Sequence, residues 1–137
     1  MNPTSVIISA TVMLCFSLAA ADEKPNASDV PNVSLVSLIA TPEKYDGKYI
    51  RIAGVGYFDS KGGLNAIFLT REDKRKANGA NGIFLNFDSS VSKGDTLNDK
   101  FVVAQGVFAA QNHGHLGAFA ASLNNVDRLV EVKIDIR

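Results

Sequence analysis

The stretch Asp46-Gly47-Lys48-Tyr49-Ile50-Arg51-Ile52-Ala53-Gly54-Val55 is echoed by Asn98-Asp99-Lys100-Phe101-Val102-Val103-Ala104-Gln105-Gly106-Val107. In both, a turn delivers a lysine, an aromatic residue and then β-branched residues, with a glycine six positions after the lysine. In the first copy Ile50 and Ile52 share one strand face while Tyr49 and Arg51 share the other. A glycine inside a long strand lets it bulge or bend sharply, and a small, strongly curved β-barrel needs such bends. The echo therefore constrains architecture and carries no chemistry of its own.

The N-terminal end constrains the compartment. Residues 6–18 form a largely apolar run without charge, and Ala19-Ala20-Ala21 follows, with small residues where signal cleavage requires them. The run is shorter than the roughly 20 apolar residues of a membrane-spanning helix. Residues 1–21 are therefore expected to be an export signal, although residues 1–5 contain no Lys or Arg. Cys15, the single cysteine, lies inside that segment, and Leu14 before it does not suit lipid attachment. The mature chain, from Asp22, then has no thiol, so disulfides, thiolate metal sites and cysteine catalysis fall away. A periplasmic or secreted protein with no membrane span after signal cleavage is expected. Lys plus Arg and Asp plus Glu number 14 each, so no broad positive field recruits a polyanion.

Residues 22–32 are polar, contain Pro25 and Pro31, and read as a flexible lead-in to one domain at 33–137. Residues 33–40 carry Leu35, Val36, Leu38 and Ile39 at helical spacing. From Lys48 the period becomes two, and strands are expected at 49–58, 64–70, 83–87, 100–110 and 118–126. A hairpin turn at 59–63, a charged helix at 71–76 and a Gly-rich loop at 111–117 punctuate them. Residues 127–137 form a partly alternating extension. Five strands with glycine-softened first and fourth members predict a mainly β fold, an OB-type Greek-key barrel with a short N-terminal helix.

Tyr45-Asp46-Gly47-Lys48, Asn98-Asp99-Lys100 and Asn112-His113-Gly114-His115-Leu116-Gly117 resemble segments of small exported bacterial OB-fold proteins of unassigned function, akin to the tRNA-anticodon-like OB group. The resemblance covers about residues 33–129. It implies the fold and adds little to function; it implies no particular activity.

His113 and His115, the only histidines, have a spacing that suits a divalent metal if the loop is extended. No third ligand is evident; Asp59, Asp88 and Asp127 qualify only if the fold brings one close. Ser60, Ser89, Ser90 and Ser92 lie in loops without a nucleophile elbow, and Gly54-Val55-Gly56 lacks the rest of a dinucleotide fingerprint. No enzyme activity, cofactor or bound metal is expected. In OB folds the recurring binding face is formed by strands two and three and flanked by the loops joining strands one to two and four to five. That geometry places Lys61, His113 and His115 on the rims of a groove, with Asn65 and Asn86 on its floor. The reading is an exported, non-enzymatic binding module for a protein, peptide or small ligand of the cell envelope. Its alternatives are a single-stranded nucleic-acid-binding OB domain, disfavoured by charge and export, and a metal-dependent activity at the His113/His115 loop.

Overall fold

The computed structural model describes residues 24–91 and 94–136. The expected export signal with Cys15, the cleavage position and Ser92 lie outside the described residues.

The first helix, α1 (Leu35–Ala40), is capped by Ser34, whose hydroxyl accepts from the Ser37 N–H at 3.1 Å. Its apolar spacing buries Leu35 and Leu38 and leaves Val36 exposed. Pro42 opens a 3-10 turn, where its missing N–H costs nothing. The strands β1 (Tyr49–Phe58), β2 (Asn65–Phe68), β3 (Gly82–Phe87), β4 (Phe101–Ala109) and β5 (Ala121–Glu131) follow, with a second short helix α2 (Arg71–Arg75) between β2 and β3. They close in the order β1-β2-β3-β5-β4, with β4 returning to β1. Every pairing is antiparallel except β3 with β5. This is an OB-type barrel.

The two echoed glycines sit where the barrel is tightest. β1 pairs with β4 from Tyr49 to Val55 and with β2 from Val55 to Phe58, so it changes partner beside Gly54. A Cβ at Gly54 would lie 2.6 Å from the Phe68 carbonyl oxygen and 2.5 Å from Ile67 Cγ2. Gly106 stands at the register shift between β4 and β5, where a Cβ would meet the Asn124 carbonyl oxygen at 2.6 Å. Inside the barrel, Ile50, Ile52, Ile67, Leu85, Val102, Phe108 and Leu123 pack with Leu35 and Leu38 of α1 in one core.

The last strand departs from the sequence expectation. It begins at Ala121 rather than at 118 and runs through Glu131, well beyond 126. Asn124-Asn125 and Asp127 resemble a strand end, but Asn125 takes φ +50° and the strand continues past a bulge. β2 is also shorter than expected, because residues 69–70 turn away to cap α2. The lead-in lies along β1: Val30 is buried, and the Arg51 N–H donates to the Pro31 carbonyl.

Candidate functional site

Alternation along β2 and β3 turns Ala66, Phe68 and Phe84 away from the barrel interior, onto the face where OB folds bind ligands. Here that face is a second hydrophobic cluster, in which Ala66, Phe68 and Phe119 are buried and Tyr57, Leu64 and Phe84 pack against them. The ring of Phe119 lies 6.0 Å from that of Phe68 and 5.4 Å from that of Phe84, both tilted. All four residues of β2 are consequently buried, from inside by the core and from outside by this cluster.

Phe119 comes from the β4–β5 loop, and the loop's own chemistry holds it there. The Phe119 N–H donates to the His113 carbonyl at 3.0 Å, and His113 Nδ1 lies 3.0 Å from the Phe119 carbonyl. A carbonyl can only accept, so Nδ1 is the donor in this contact. Gly114, at φ +64°, lies so close to Phe84 that a Cβ would come within 2.5 Å of its ring. Ser122 Oγ donates to the Asn112 carbonyl at 2.8 Å, and Asn112 Oδ1 accepts from the Gly114 N–H at 3.1 Å. The outcome at the loop's tip is Leu116, 90% exposed and in the left-handed region at φ +55°.

α2 closes the other side of the face. Thr70 caps it, accepting from the Asp73 N–H at 3.0 Å, and the Lys74 ammonium lies 5.5 Å from the Tyr57 ring centre. Lys74 is also ion-paired with Asp99. What remains open is an apolar cleft of about 180 Å³ lined by Tyr57, Leu64, Phe68, Lys74 and Ala77.

The five residues expected to line one groove are not brought together in one. His113 and His115 are exposed in the β4–β5 loop. Asn86 joins that loop's base: its amide donates to Asn124 Oδ1 at 2.7 Å, and Asn112 donates to the same oxygen at 3.5 Å. Lys61 stands at the tip of the β1–β2 hairpin, in a separate polar groove of about 310 Å³ shared with Asp59, Asp95 and Asn98. There the Gly62 N–H, and then the Lys61 N–H, hold the Asp59 carboxyl below its usual range. Asn65 is buried on the same strand face as Ile67, and its Oδ1 has no hydrogen-bond partner. Among the described residues no three His, Cys, Asp or Glu side chains gather as a metal-holding group.

A second polar constellation, which the sequence reading did not assemble, lies on the β1–β4–β5 face. It borders a groove of about 480 Å³ lined by Lys24, Pro25, Ala27, Tyr49, Gln105, Asp127 and Arg128. The Tyr49 hydroxyl donates to Asp127 Oδ1 at 2.6 Å, and Lys24 pairs with the other carboxylate oxygen at 2.6 Å. With its amide oxygen toward Arg51, Gln105 accepts from that guanidinium at 2.7 and 2.8 Å. Arg51 also donates to the Ala27 carbonyl at 2.6 Å, which ties the lead-in to the barrel. Tyr49 and Arg51 sharing a face was readable in the alternation of β1. The approach of Asp127 was not, because it depends on β5 running past its bulge.

No protein-family model matches the sequence, and a search of curated proteins finds no match. Among solved structures the chain is similar to a protein of Leishmania major Friedlin assigned as an aspartyl-tRNA synthetase, with TM-score 0.50 and 14% identity. That alignment covers 87% of this chain and 24% of the other. A DUF3299 family protein from Pseudomonas aeruginosa PAO1 is similar at TM-score 0.49 and 10% identity, over 67% of this chain and 66% of that one. The chain thus spans only part of each, and at 14% identity the likeness to the synthetase speaks to fold alone. No helix among the described residues is long and apolar enough to cross a membrane.

Proposed function

We propose that this chain is an exported, non-enzymatic OB-fold module that binds a protein or peptide of the cell envelope through its β4–β5 loop. The observation that carries this reading is the enclosure of the aromatic face. Phe68 and Phe119 are 4% and 7% exposed and pack in one cluster with Phe84, whereas a platform for single strands needs open rings beside a cationic groove. The loop that closes the face turns Leu116 to solvent in a conformation costing on the order of 1 kcal/mol or more for a non-glycine residue. A large apolar side chain held in one shape by flanking turns suits an anchor for a partner's pocket. Export rests on the apolar run 6–18 with Ala19-Ala20-Ala21, and the non-enzymatic reading on the lack of a nucleophile or cofactor motif in the sequence. The second reading, single-strand nucleic-acid binding, is favoured by the resemblance to the anticodon-like OB group and by the structural likeness to the synthetase.

Immobilised protein, challenged with envelope extract of its source, is expected to retain one saturable protein partner. Leu116→Ser and the double variant His113→Ala/His115→Ala are expected to lose it, with the barrel's thermal unfolding unchanged for Leu116→Ser. Equal capture by the folded variants would overturn the proposal. So would tight binding of a labelled single-stranded oligonucleotide that weakens steeply with salt.

A further inference from the structure

The strand registers place Arg51 opposite Gln105 and Gln105 opposite Arg128, so two arginines flank one glutamine in a single row across β1, β4 and β5. Cross-strand partners share a face. One position along, Ile52 and Ala104 point into the core, so this row faces outward. Neighbouring strands lie about 4.8 Å apart, which sets the two arginine stems on the order of 10 Å from one another with an amide between them. That amide is not a surface group, because Gln105 is 4% exposed. With its oxygen toward Arg51 it accepts from the guanidinium at 2.7 and 2.8 Å, and its NH2 group turns toward the Tyr49 hydroxyl at 3.4 Å. Arg51 also donates to the Ala27 carbonyl at 2.6 Å and to Asn32 Oδ1 at 3.4 Å. All of these acceptors are neutral.

The groove of about 480 Å³ beside this row carries the same imbalance. Lys24 and Arg128 line it, and Arg51 stands behind Gln105 and Ala27, which belong to its wall. Among the described residues that line it, Asp127 is the one carboxylate, and both its oxygens are engaged. One accepts from the Tyr49 hydroxyl and the other pairs with Lys24. Elsewhere on the barrel Lys74, Arg75, Lys76 and Lys100 each meet a carboxylate. Cationic donors are thus in excess here. Guanidinium forks suit the paired oxygens of a phosphate or carboxylate group. We propose that the groove binds a small dianion, a phosphate monoester or a dicarboxylate. Arg128 is its main anchor, Arg51 and the Gln105 amide stand behind it, and Lys24 closes it from the lead-in. The lead-in also limits the ligand's size. It crosses this face from Lys24, paired with Asp127, to Asn32, bridged to Arg51, so a free small molecule fits where a polymer strand is obstructed.

Isothermal titration calorimetry of the full chain with inorganic phosphate, and separately with malonate, tests this. Thermal unfolding in the same anions is followed against sodium chloride at equal ionic strength. Saturable binding of at least one anion is expected, with an unfolding midpoint that rises with its concentration beyond any effect of chloride. Binding of phosphate alone would assign a phosphate ligand, and of malonate alone a dicarboxylate. Arg128→Gln is expected to weaken binding by about tenfold or more. Arg128→Lys, which keeps the charge but not the fork, should fall between the two. Arg128 is exposed, so its variants should unfold at the wild-type temperature in chloride, which separates a lost site from a lost fold. Lys61→Gln, in the separate groove at the β1–β2 hairpin, should bind as wild type does. No saturable binding of either anion up to tens of millimolar, or a stabilisation that chloride reproduces, would overturn the proposal. So would undiminished binding by Arg128→Gln, or an equal loss in Lys61→Gln.

Discussion

Tyr49 shows how one side chain reports the state of a whole face. Burial, then the hydrogen bond to Asp127 and that carboxylate's charge, push its hydroxyl up to about 12, against the opposing pull of Arg128 and Arg51. A phenol whose pKa is higher in the folded chain than in the unfolded one, where it is about 10, stabilises the fold while protonated. That contribution is complete below pH about 10 and disappears as pH rises through about 12. Phenolate absorbance should therefore show a tyrosine ionising near 12 that is absent from Tyr49→Phe. The same variant should lose about 1 kcal/mol at neutral pH, the usual worth of a hydrogen bond at a part-buried site. An unchanged alkaline titration in the variant would mean that the Tyr49–Asp127 contact does not persist in solution.

At the scale of elements, the sequence reveals strands through their period and hides whatever depends on distant packing. The alternation of Ile50 and Ile52 places β1 residue for residue, and the glycines of the two echoed stretches mark the barrel's tight points. Gly54→Ala should cost about 1–3 kcal/mol, because its Cβ meets the Phe68 carbonyl and Ile67 at under 3 Å inside a filled barrel. Gly47→Ala, open on all sides but at φ +74°, should cost about 1 kcal/mol from backbone strain alone. Urea titration of both variants separates crowding from conformation, and equal losses would show that the barrel relaxes around the new methyl. β5 was less legible, since Asn124-Asn125 is turn chemistry that only a bulge against β4 turns into strand. The candidate site was legible in part: the loop carrying His113 and His115 stands out by its glycines, yet nothing local indicates that Phe119 folds back onto Phe68 and Phe84. That contact joins residues some 35–50 positions apart, beyond any periodicity.

For the whole molecule, the decisive quantity is charge set against the enclosed aromatic face. An OB barrel that holds single strands without sequence preference draws much of its affinity from released counterions, and the logarithm of its affinity falls with the logarithm of salt by about 0.7 per neutralised phosphate. This chain carries 14 cationic and 14 anionic side chains. Its densest basic segment spends much of its charge internally: Arg75 and Lys76 pair with Glu72, and Lys74 pairs with Asp99. Arg71 is fixed by donating to the Asp99 carbonyl. Fluorescence anisotropy of a labelled single strand should thus show weak binding with a shallow salt slope. Phe119→Ala should change this in a definite direction, because it uncovers the rings of Phe68 and Phe84 at a cost of about 3 kcal/mol or more of stability. If stacking is what the closed loop withholds, the variant, where still folded, binds the oligonucleotide more tightly than wild type while its salt slope stays shallow, since no cation has been added. A wild-type chain that already binds tightly with a slope of several phosphates would place the nucleic-acid site on a surface other than this face.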